Sequence, residues 1–387
     1  MIECDEPAGG PRLPEKNAVA RPALDLMNNG LRIAHVNYSL QVGGAETVTA
    51  ELCRRSRDRG HTVQLDCLAG DGPIGAMLRA EGFPIHVHGP AGRLTVSRSL
   101  YRSLREFRPD VVHLHNSGAT TLGAPVARLA HVPVIISTRH GITHAGETPA
   151  RLLQFGLASR LCTRIVGVCQ AVTDHLRGLR WVPGGRLVTV YNGAAPAPVT
   201  APATPLPQNG FTLVWIGRLS SPKDPATLLR ALAQARRERP DLRLWFVGDG
   251  ELRSSAEALR AELGLGDAVT FWGTRRDVGA ILAAADLFVL SSRSEGLPIS
   301  LLEAMAASKP SLATDAGAMR ELIEGGACGL VVPRGDVDAM ARALLAIARD
   351  PAQCERWSQA ARLHYGAHFT PDRMAESYLK LYRECLR

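Results

Sequence analysis

The chain alternates short apolar runs with amphipathic stretches, and it does so twice, on either side of one proline-rich segment. The apolar runs have the length of strands, and the stretches between them have helical spacing. Strand–helix–strand repetition predicts parallel sheets that are covered by helices on both faces. At 387 residues the chain is too long for one typical core, so each half is expected to form its own α/β domain.

The predicted elements follow this alternation. First-half strands are predicted at 32–37, 62–67, 85–88, 110–115, 134–138, 164–168 and 187–191, and helices at 46–59 and 170–179. Second-half strands are predicted at 212–216, 243–247, 269–272, 287–290, 310–314 and 329–332. Second-half helices are predicted at 225–239, 252–263, 277–284, 299–307, 337–349 and 369–386.

Composition divides the chain at two further places. The first residues are rich in proline, glycine and mixed charge and have no apolar core of a signal peptide, so 1–30 is predicted to be a disordered leader. The proline- and alanine-rich stretch 194–210 is predicted to be a semi-rigid linker. The domains are therefore expected at 31–193 and 211–365, with a C-terminal helical segment at 366–387.

Charge and cysteine usage narrow the possible partners. The net charge of +8 favours anionic partners, but no basic surface with interleaved aromatics or known motif points to nucleic acid. The eight cysteines show no metal-ligand spacing, which favours buried thiols in a reducing cytosol. No run approaches about 20 uninterrupted apolar residues, so no transmembrane helix is expected.

The segment 93–108 has a basic helical pattern. Apolar residues recur at positions 96, 100, 104 and 107, and arginines cover much of the remaining surface. Such a helix is typical of a peripheral anchor at an anionic membrane face, here the inner face of the membrane. An arginine-rich surface helix of an ordinary α/β domain has the same pattern, and both interpretations stay open.

The run 294–306 carries the clearest chemical signal. It follows an apolar strand and opens a helix that Pro298 can start, so a turn with Gly296 meets a helix N-terminus. Free N–H groups and the helix dipole there favour an anion. Glu295 and Glu303 lie eight positions apart, about 12 Å along a continuous helix, which is too far for the two carboxylates of a glycosidase. They are better placed to hold two ends of one long ligand.

This run resembles the E-x7-E signature of the retaining glycosyltransferases of family 4, which have the GT-B fold. Other segments match the same family in the same order, and the resemblance spans roughly residues 31 to 385. These segments are Gly43-Gly44-Ala45-Glu46, Thr138-Arg139-His140-Gly141, Val190-Tyr191-Asn192-Gly193-Ala194, Gly217-Arg218-Leu219 with Lys223, and Val247-Gly248-Asp249-Gly250. The resemblance implies two Rossmann-like domains that face each other across a cleft, with the acceptor on the first and the donor on the second. It also implies that the C-terminal helix at 366–387 packs back on the first domain.

The resemblance also implies roles for particular residues. Arg218 and Lys223 are expected to neutralise a departing diphosphate, a charge that grows in the transition state. Glu295 is expected to hold the transferred sugar, His140 to contact it, and Glu303 to accept hydrogen bonds from ribose hydroxyls. The remaining expected donor contacts are Gly43, Gly44, Asn192, Gly217, Gly248, Asp249, Gly296 and Leu297.

No metal or other cofactor is expected. Asp336 and Asp338 have the letters of a metal-binding D-x-D pair, but they precede a predicted helix, where aspartates cap free N–H groups. His113 and His115 share one face of a predicted strand, but the sequence shows no third ligand beside them.

The predicted function is a metal-independent, retaining hexosyltransferase that uses a nucleotide-diphospho-sugar and a glycan or lipid-linked acceptor in the cytoplasm, for cell-surface polysaccharide or glycolipid synthesis. Attack on the same face of the sugar fits better than a covalent intermediate, because no carboxylate nucleophile is evident. Two alternatives stay open: a nucleotide-sugar epimerase of the same fold, and a non-catalytic sugar-nucleotide-binding protein.

Overall fold

The computed structural model describes residues 30–142, 148–207 and 210–387. Within them the chain forms two parallel sheets, each covered by helices. The predicted leader at 1–30 lies outside the described residues except for Gly30.

The first sheet has seven strands in the order β3-β2-β1-β4-β5-β6-β7. They are β1 (Arg32–Ser39), β2 (Thr62–Gly70), β3 (Ile85–Val87), β4 (Val111–His115), β5 (Val134–Arg139), β6 (Arg164–Gly167) and β7 (Leu187–Thr189). The helices of this half are α1 (Gly44–Asp58), α2 (Gly72–Ala80), α3 (Arg93–Phe107), α4 (Asn116–Leu129), α5 (Pro149–Ser159) and α6 (Gln170–Gly178).

The second sheet has six strands in the order β10-β9-β8-β11-β12-β13. They are β8 (Thr212–Ile216), β9 (Arg243–Val247), β10 (Val269–Gly273), β11 (Leu287–Leu290), β12 (Ser311–Thr314) and β13 (Gly329–Val332). The helices are α7 (Pro225–Ala235), α8 (Arg253–Glu262), α9 (Val278–Ala284), α10 (Ile299–Ala306), α11 (Val337–Arg349), α12 (Pro351–His368) and α13 (Pro371–Leu386).

The predicted fold class, two parallel-sheet α/β domains of GT-B type, is confirmed. Every described strand pairing is parallel, and the central strands are buried on both faces. In each sheet the strand order reverses between two central strands, β1 beside β4 and β8 beside β11. Ligands bind beyond the carboxyl ends of strands at such reversal points, so the topology directs attention to the loops after these four strands.

The last helix returns to the first half of the molecule. Tyr378 and Tyr382 of α13 are buried in one apolar cluster with Leu52 of α1 and Ile136 of β5. At the rim of this contact, an ion pair of 2.7 Å joins Arg59 to Asp372. Side chains from the end of the chain are therefore part of the interior of the first domain.

Four helices were not predicted from the sequence, namely α2, α4, α5 and α12. The helix α12 buries only Ala361 and Tyr365, so its sequence has no apolar stripe to reveal it.

The capping interpretation of Asp336 is confirmed, because its carboxylate accepts a hydrogen bond from the N–H of Ala339 at the start of α11. Among the described helices, none is both long and apolar enough to cross a membrane.

Candidate active site

A cleft of about 880 Å³ lies between the two domains, at the carboxyl ends of the central strands. All thirteen residues proposed from the sequence line it. From the first domain these are Gly43, Gly44, His140 and Asn192. From the second domain they are Gly217, Arg218, Lys223, Gly248, Asp249, Glu295, Gly296, Leu297 and Glu303. Folding therefore brings the whole set to one place, while the role of each residue is a separate question.

Lys223 and Glu295 pair with each other in this cleft. Lys223 ends a short 3-10 turn after β8, and its Nζ lies 2.5 Å from Oε1 of Glu295. The hydroxyl of Ser292 donates to the same carboxylate oxygen at 2.6 Å. The Glu295 carboxylate is thus held in place from two sides, and it neutralises the cation in the unliganded protein.

The turn before α10 forms the floor of the cleft. Glu295 lies in that turn, because α10 begins only at Ile299. No side chain of the described residues caps this helix, and Pro298 and Ser300 line the cleft beside its N-terminus. Uncapped N–H groups at a helix start favour an anion, and the exposed side chain of Arg218 also lines the cleft.

Glu303 lies one turn further along α10 than the turn with Glu295, and burial shields its carboxyl from water. Loss of hydration raises the pKa of its carboxyl to about 7. Its side chain accepts no hydrogen bond from any residue between 30 and 142, 148 and 207, or 210 and 387. A partly buried carboxyl without donors is suited to accept hydrogen bonds from ligand hydroxyls.

The glycine loop after β1 faces α10 from the first domain. Gly44 lies opposite Ile299, and a side chain at Gly43 would collide with the carboxylate of Glu46. Burial raises the pKa of Glu46, while its own backbone N–H and the charge of Arg218 act against this. The loop therefore places a further carboxyl, Glu46, near Arg218 of the other domain.

The sequence did not single out several other residues of the cleft. Asn116 is the clearest of these, because its Oδ1 accepts the backbone N–H of His140 at 3.1 Å. Its φ of +67° is in the left-handed region, which asparagine tolerates better than most residues. An asparagine directly after the predicted strand 110–115 is the signal that could have found it. Thr47, Thr274, Arg275, Val278 and Ser300 also line the cleft.

Family models match both halves of the chain. The model "Glycosyltransferase Family 4" matches residues 42–198, and "Glycosyl transferases group 1" matches residues 200–364. The phosphatidyl-myo-inositol mannosyltransferase of Mycobacterium leprae is 30% identical over 346 residues, an alignment that covers 84% of this chain and 88% of the relative. The chain belongs to glycosyltransferase family 4. This membership selects a transferase over the epimerase and the non-catalytic protein that the sequence left open.

Two further comparisons agree with the family. The glycosyltransferase is 28% identical over 343 residues to the UDP-Gal:alpha-D-GlcNAc-diphosphoundecaprenol alpha-1,3-galactosyltransferase of Escherichia coli, covering 83% of this chain and 88% of that one. Its fold matches that of Anabaena HepE, crystallised in complex with UDP-glucose, with a TM-score of 0.80 at 22% identity. That match covers 92% of this chain and all of the other.

The two domains of the glycosyltransferase touch at the edge of the cleft. Gly141 and Gly296 form an isolated antiparallel bridge, and a side chain at Gly296 would collide with the carbonyl oxygen of His140. Gly296 is therefore required by the domain contact, independently of any role toward a ligand. At the end of β9, Gly248 has a φ of +127°, and a side chain there would strike the backbone of Gly217.

Glu321 makes a second contact between the domains. It lies in a π-helical turn, Arg320–Glu324, and its carboxylate accepts the N–H groups of Gln170 and Ala171 at 3.0 and 2.7 Å. The hydroxyl of Tyr191 donates to the same carboxylate at 3.0 Å. A side chain of the second domain thus caps the helix α6 of the first.

The structure corrects one observation on the histidines. A third histidine does stand beside His113 and His115, namely His35, which β1 brings into register with His113. The ligand atoms of these three side chains lie close together. Within the described parts of the chain, no other group of three or more histidines, cysteines or acidic residues has this property. The sequence could not show this, because the two strands lie about eighty residues apart and become neighbours only in the sheet.

Proposed function

We propose that this glycosyltransferase is a retaining hexosyltransferase that uses a nucleotide-diphospho-sugar and needs no metal. The observation that carries the proposal is the arrangement of charge in the cleft. Arg218, Lys223 and the uncapped start of α10 provide positive charge, and Glu303 without donors lies one turn along the same helix. A diphosphate bound beside the cations would leave the ribose within reach of Glu303.

The cations would also act in the chemical step. Charge accumulates on the diphosphate as the sugar leaves, so fixed cations stabilise the transition state more than the ground state. Lys223 would exchange part of its interaction with Glu295 for the phosphate, and Glu295 would then be available to the sugar hydroxyls. The names of similar proteins support this donor class, since one uses UDP-Gal and another was crystallised with UDP-glucose.

The acceptor is proposed to be a glycan or a lipid-linked sugar that enters through the first domain. A second cavity of about 720 Å³ lies there and shares Asn116 with the cleft. Its wall combines apolar side chains such as Leu68 and Leu122 with the cations Arg93 and Arg151. That combination suits an acceptor with an apolar part and an anionic group.

Contact with an anionic membrane face is proposed for α3, on the cytoplasmic side. Its apolar stripe, Val96, Leu100 and Leu104, is buried in the domain core, so it cannot enter a bilayer. The exposed face carries arginines together with Leu94 and Tyr101. The attraction would therefore be mainly electrostatic, which predicts binding to vesicles with anionic lipid that weakens as salt rises.

A panel of nucleotide-sugars tests the proposed donor and stereochemistry. A UDP-, GDP- or ADP-sugar that binds should raise the melting temperature by mass action. With the active donor, NMR of the first product should show the donor's own anomeric configuration. Inverted product would contradict the retaining proposal, and no stabilisation by any nucleotide-sugar would contradict the donor class.

A further inference from the structure

A chain of buried histidines leads from the cleft into the interior of the first domain. Nε2 of His140 lies 3.1 Å from Nδ1 of His115, and Nε2 of His115 lies 3.0 Å from Nδ1 of His35. The side chains of His35 and His115 are shielded from solvent, while His140 lines the cleft. The predicted donor contact is thus attached to two histidines that no ligand in the cleft can reach.

The hydrogen bonds of this chain can run in either of two directions. A neutral imidazole has one N–H and one bare nitrogen, so donation by His35 requires that His115 in turn donates to His140. In the opposite direction Nε2 of His35 would carry a proton, and that nitrogen is buried without a hydrogen-bond partner among the described residues. Buried N–H groups without acceptors are rarer than acceptors without donors. The first direction instead places the last N–H of the chain on His140, which lines the cleft and can meet a ligand there, whereas His35 is fully buried. The first direction is therefore favoured.

We propose that His115, supported by His35, is a positioning residue that donates its Nδ1–H to Nε2 of His140 and so fixes the tautomer and orientation of the cleft histidine. His140 then carries its own proton on Nδ1. The position of this proton decides whether the His140 ring donates a hydrogen bond to the sugar nucleotide or accepts one from it. The proposal rests on the proposed contact between His140 and the sugar nucleotide.

Two neighbours support this geometry. Asn116, the residue after His115, accepts the backbone N–H of His140, so consecutive residues hold both its main chain and its ring. Burial also lowers the pKa of His35 to about 3, and lowers the pKa of His115 well below its ordinary value. Neutral rings keep one direction of donation, because a protonated ring would have two donors and no acceptor.

A metal bound by His35, His113 and His115 is the competing interpretation. Their ligand atoms lie within 4.8 Å of one another. However, the rings of His113 and His115 pack against each other at a tilt, with centroids 4.2 Å apart and planes 31° apart. Both nitrogens of His113 also face hydroxyls, at 2.7 Å from Tyr382 and 2.6 Å from Thr138. Rings packed in this way do not direct lone pairs at one point, so the hydrogen-bonded chain is favoured.

The first test reads the tautomer directly in the free protein. Long-range 1H–15N NMR of histidine-labelled enzyme, with His140→Gln to assign the signal, should show His140 protonated on Nδ1 and bare on Nε2. A proton on Nε2 would overturn the proposal. Titration with zinc alone is the second arm, and stoichiometric binding that shifts the signals of His35, His113 and His115 would replace the chain by a metal site. Neither arm needs a substrate, so both stand even if the proposed donor is wrong.

The second test uses variants of His115. His115→Asn keeps an amide N–H near the position of Nδ1, whereas His115→Leu removes the donor at similar bulk. We expect His115→Leu to lose the fixed tautomer of His140 and to lower kcat about 10-fold or more, with the donor KM within about 2-fold. His115→Asn should restore most of kcat, and His86→Asn, on an exposed position of β3, is the matched control. A folded His115→Leu enzyme with unchanged tautomer and kcat would refute the proposal. If it fails to fold, His115→Asn and the tautomer of the wild type decide.

Discussion

Nζ of Lys223 lies 2.5 Å from Oε1 of Glu295, so two residues that the sequence assigned to different parts of a donor are ion-paired on the second domain's side of the cleft. Both side chains are largely shielded from solvent, at 19% and 9% exposed. In the proposed donor complex the diphosphate draws on the same ammonium group, which would couple donor binding to the position of Glu295.

Replacing Lys223 by alanine should cut kcat about 100-fold or more, in line with the loss of one electrostatic contact to the transition state. It also leaves the Glu295 carboxylate without its cation in a partly dry place. Steady-state kinetics with the active donor measure the effect. Lys380→Ala, on an exposed position of α13, is the matched control. Turnover near that of the control would refute the role given to Lys223.

Glu303→Gln should stabilise the free enzyme against unfolding and weaken its binding of the donor. The raised pKa means that the folded protein keeps a proton that the unfolded chain releases near the ordinary value of 4.5. Stability from this group is therefore present at acid pH and is lost as the pH rises toward 7. At pH 8 the neutral amide avoids that cost, and the melting temperature should rise.

Donor affinity should show the opposite trend. Ribose hydroxyls donate better to an ionised carboxylate, so the affinity of the wild type should fall as the pH drops below about 7. Glu303→Gln should show weaker binding, about 10-fold, with no such dependence. Glu262→Gln on the exposed end of α8 is the control. An affinity of the wild type that is flat between pH 6 and 8 would count against an ionised Glu303 as the ribose contact.

Treatment with EDTA should leave activity largely intact. The cleft offers Arg218, Lys223 and a helix N-terminus for the diphosphate, and these groups can supply the positive charge that a metal would otherwise provide. Activity is measured after dialysis against chelator and again after adding manganese or magnesium. Strong inhibition that manganese reverses would show that a metal takes part.

Removing the carboxylate of Glu321 should loosen the contact between the domains. Glu321→Ala leaves two N–H groups at the start of α6 uncapped. This should weaken the contact between the domains by about 1 kcal/mol. Small-angle scattering should then show a larger radius of gyration. Glu324→Ala, whose partner Arg320 is exposed on the same turn, is the control. An unchanged radius would mean that Glu321 does not hold the domains together.

Tyr382→Phe should destabilise the first domain by about 1–3 kcal/mol, because it leaves Nδ1 of His113 buried without a partner. Denaturant unfolding measures the change, and Tyr101→Phe on the exposed face of α3 is the control. Equal stability of the two variants would show that α13 contributes packing alone.

The sequence by itself determined the elements and the chemistry at their ends. Periodicity placed the inner strands β8, β9 and β11 at their predicted bounds, because a strand buried on both faces must be apolar throughout. The edge strand β13 also has its predicted bounds. Strand ends that carry Gly, Arg, Lys and Glu indicated the cleft residues, because carboxyl ends of parallel strands meet at one edge. The helix α12 was missed, since it buries too little to have an apolar stripe.

Only the tertiary structure decided which groups meet. The pairing of Lys223 with Glu295, the cap that Glu321 places on α6, and the row from His35 to His140 all join positions far apart in the chain. No local pattern encodes such contacts, because they depend on strand order and on how the two domains close. Burial likewise set the pKa of Glu303, a property of the space around the carboxyl rather than of its neighbours in sequence.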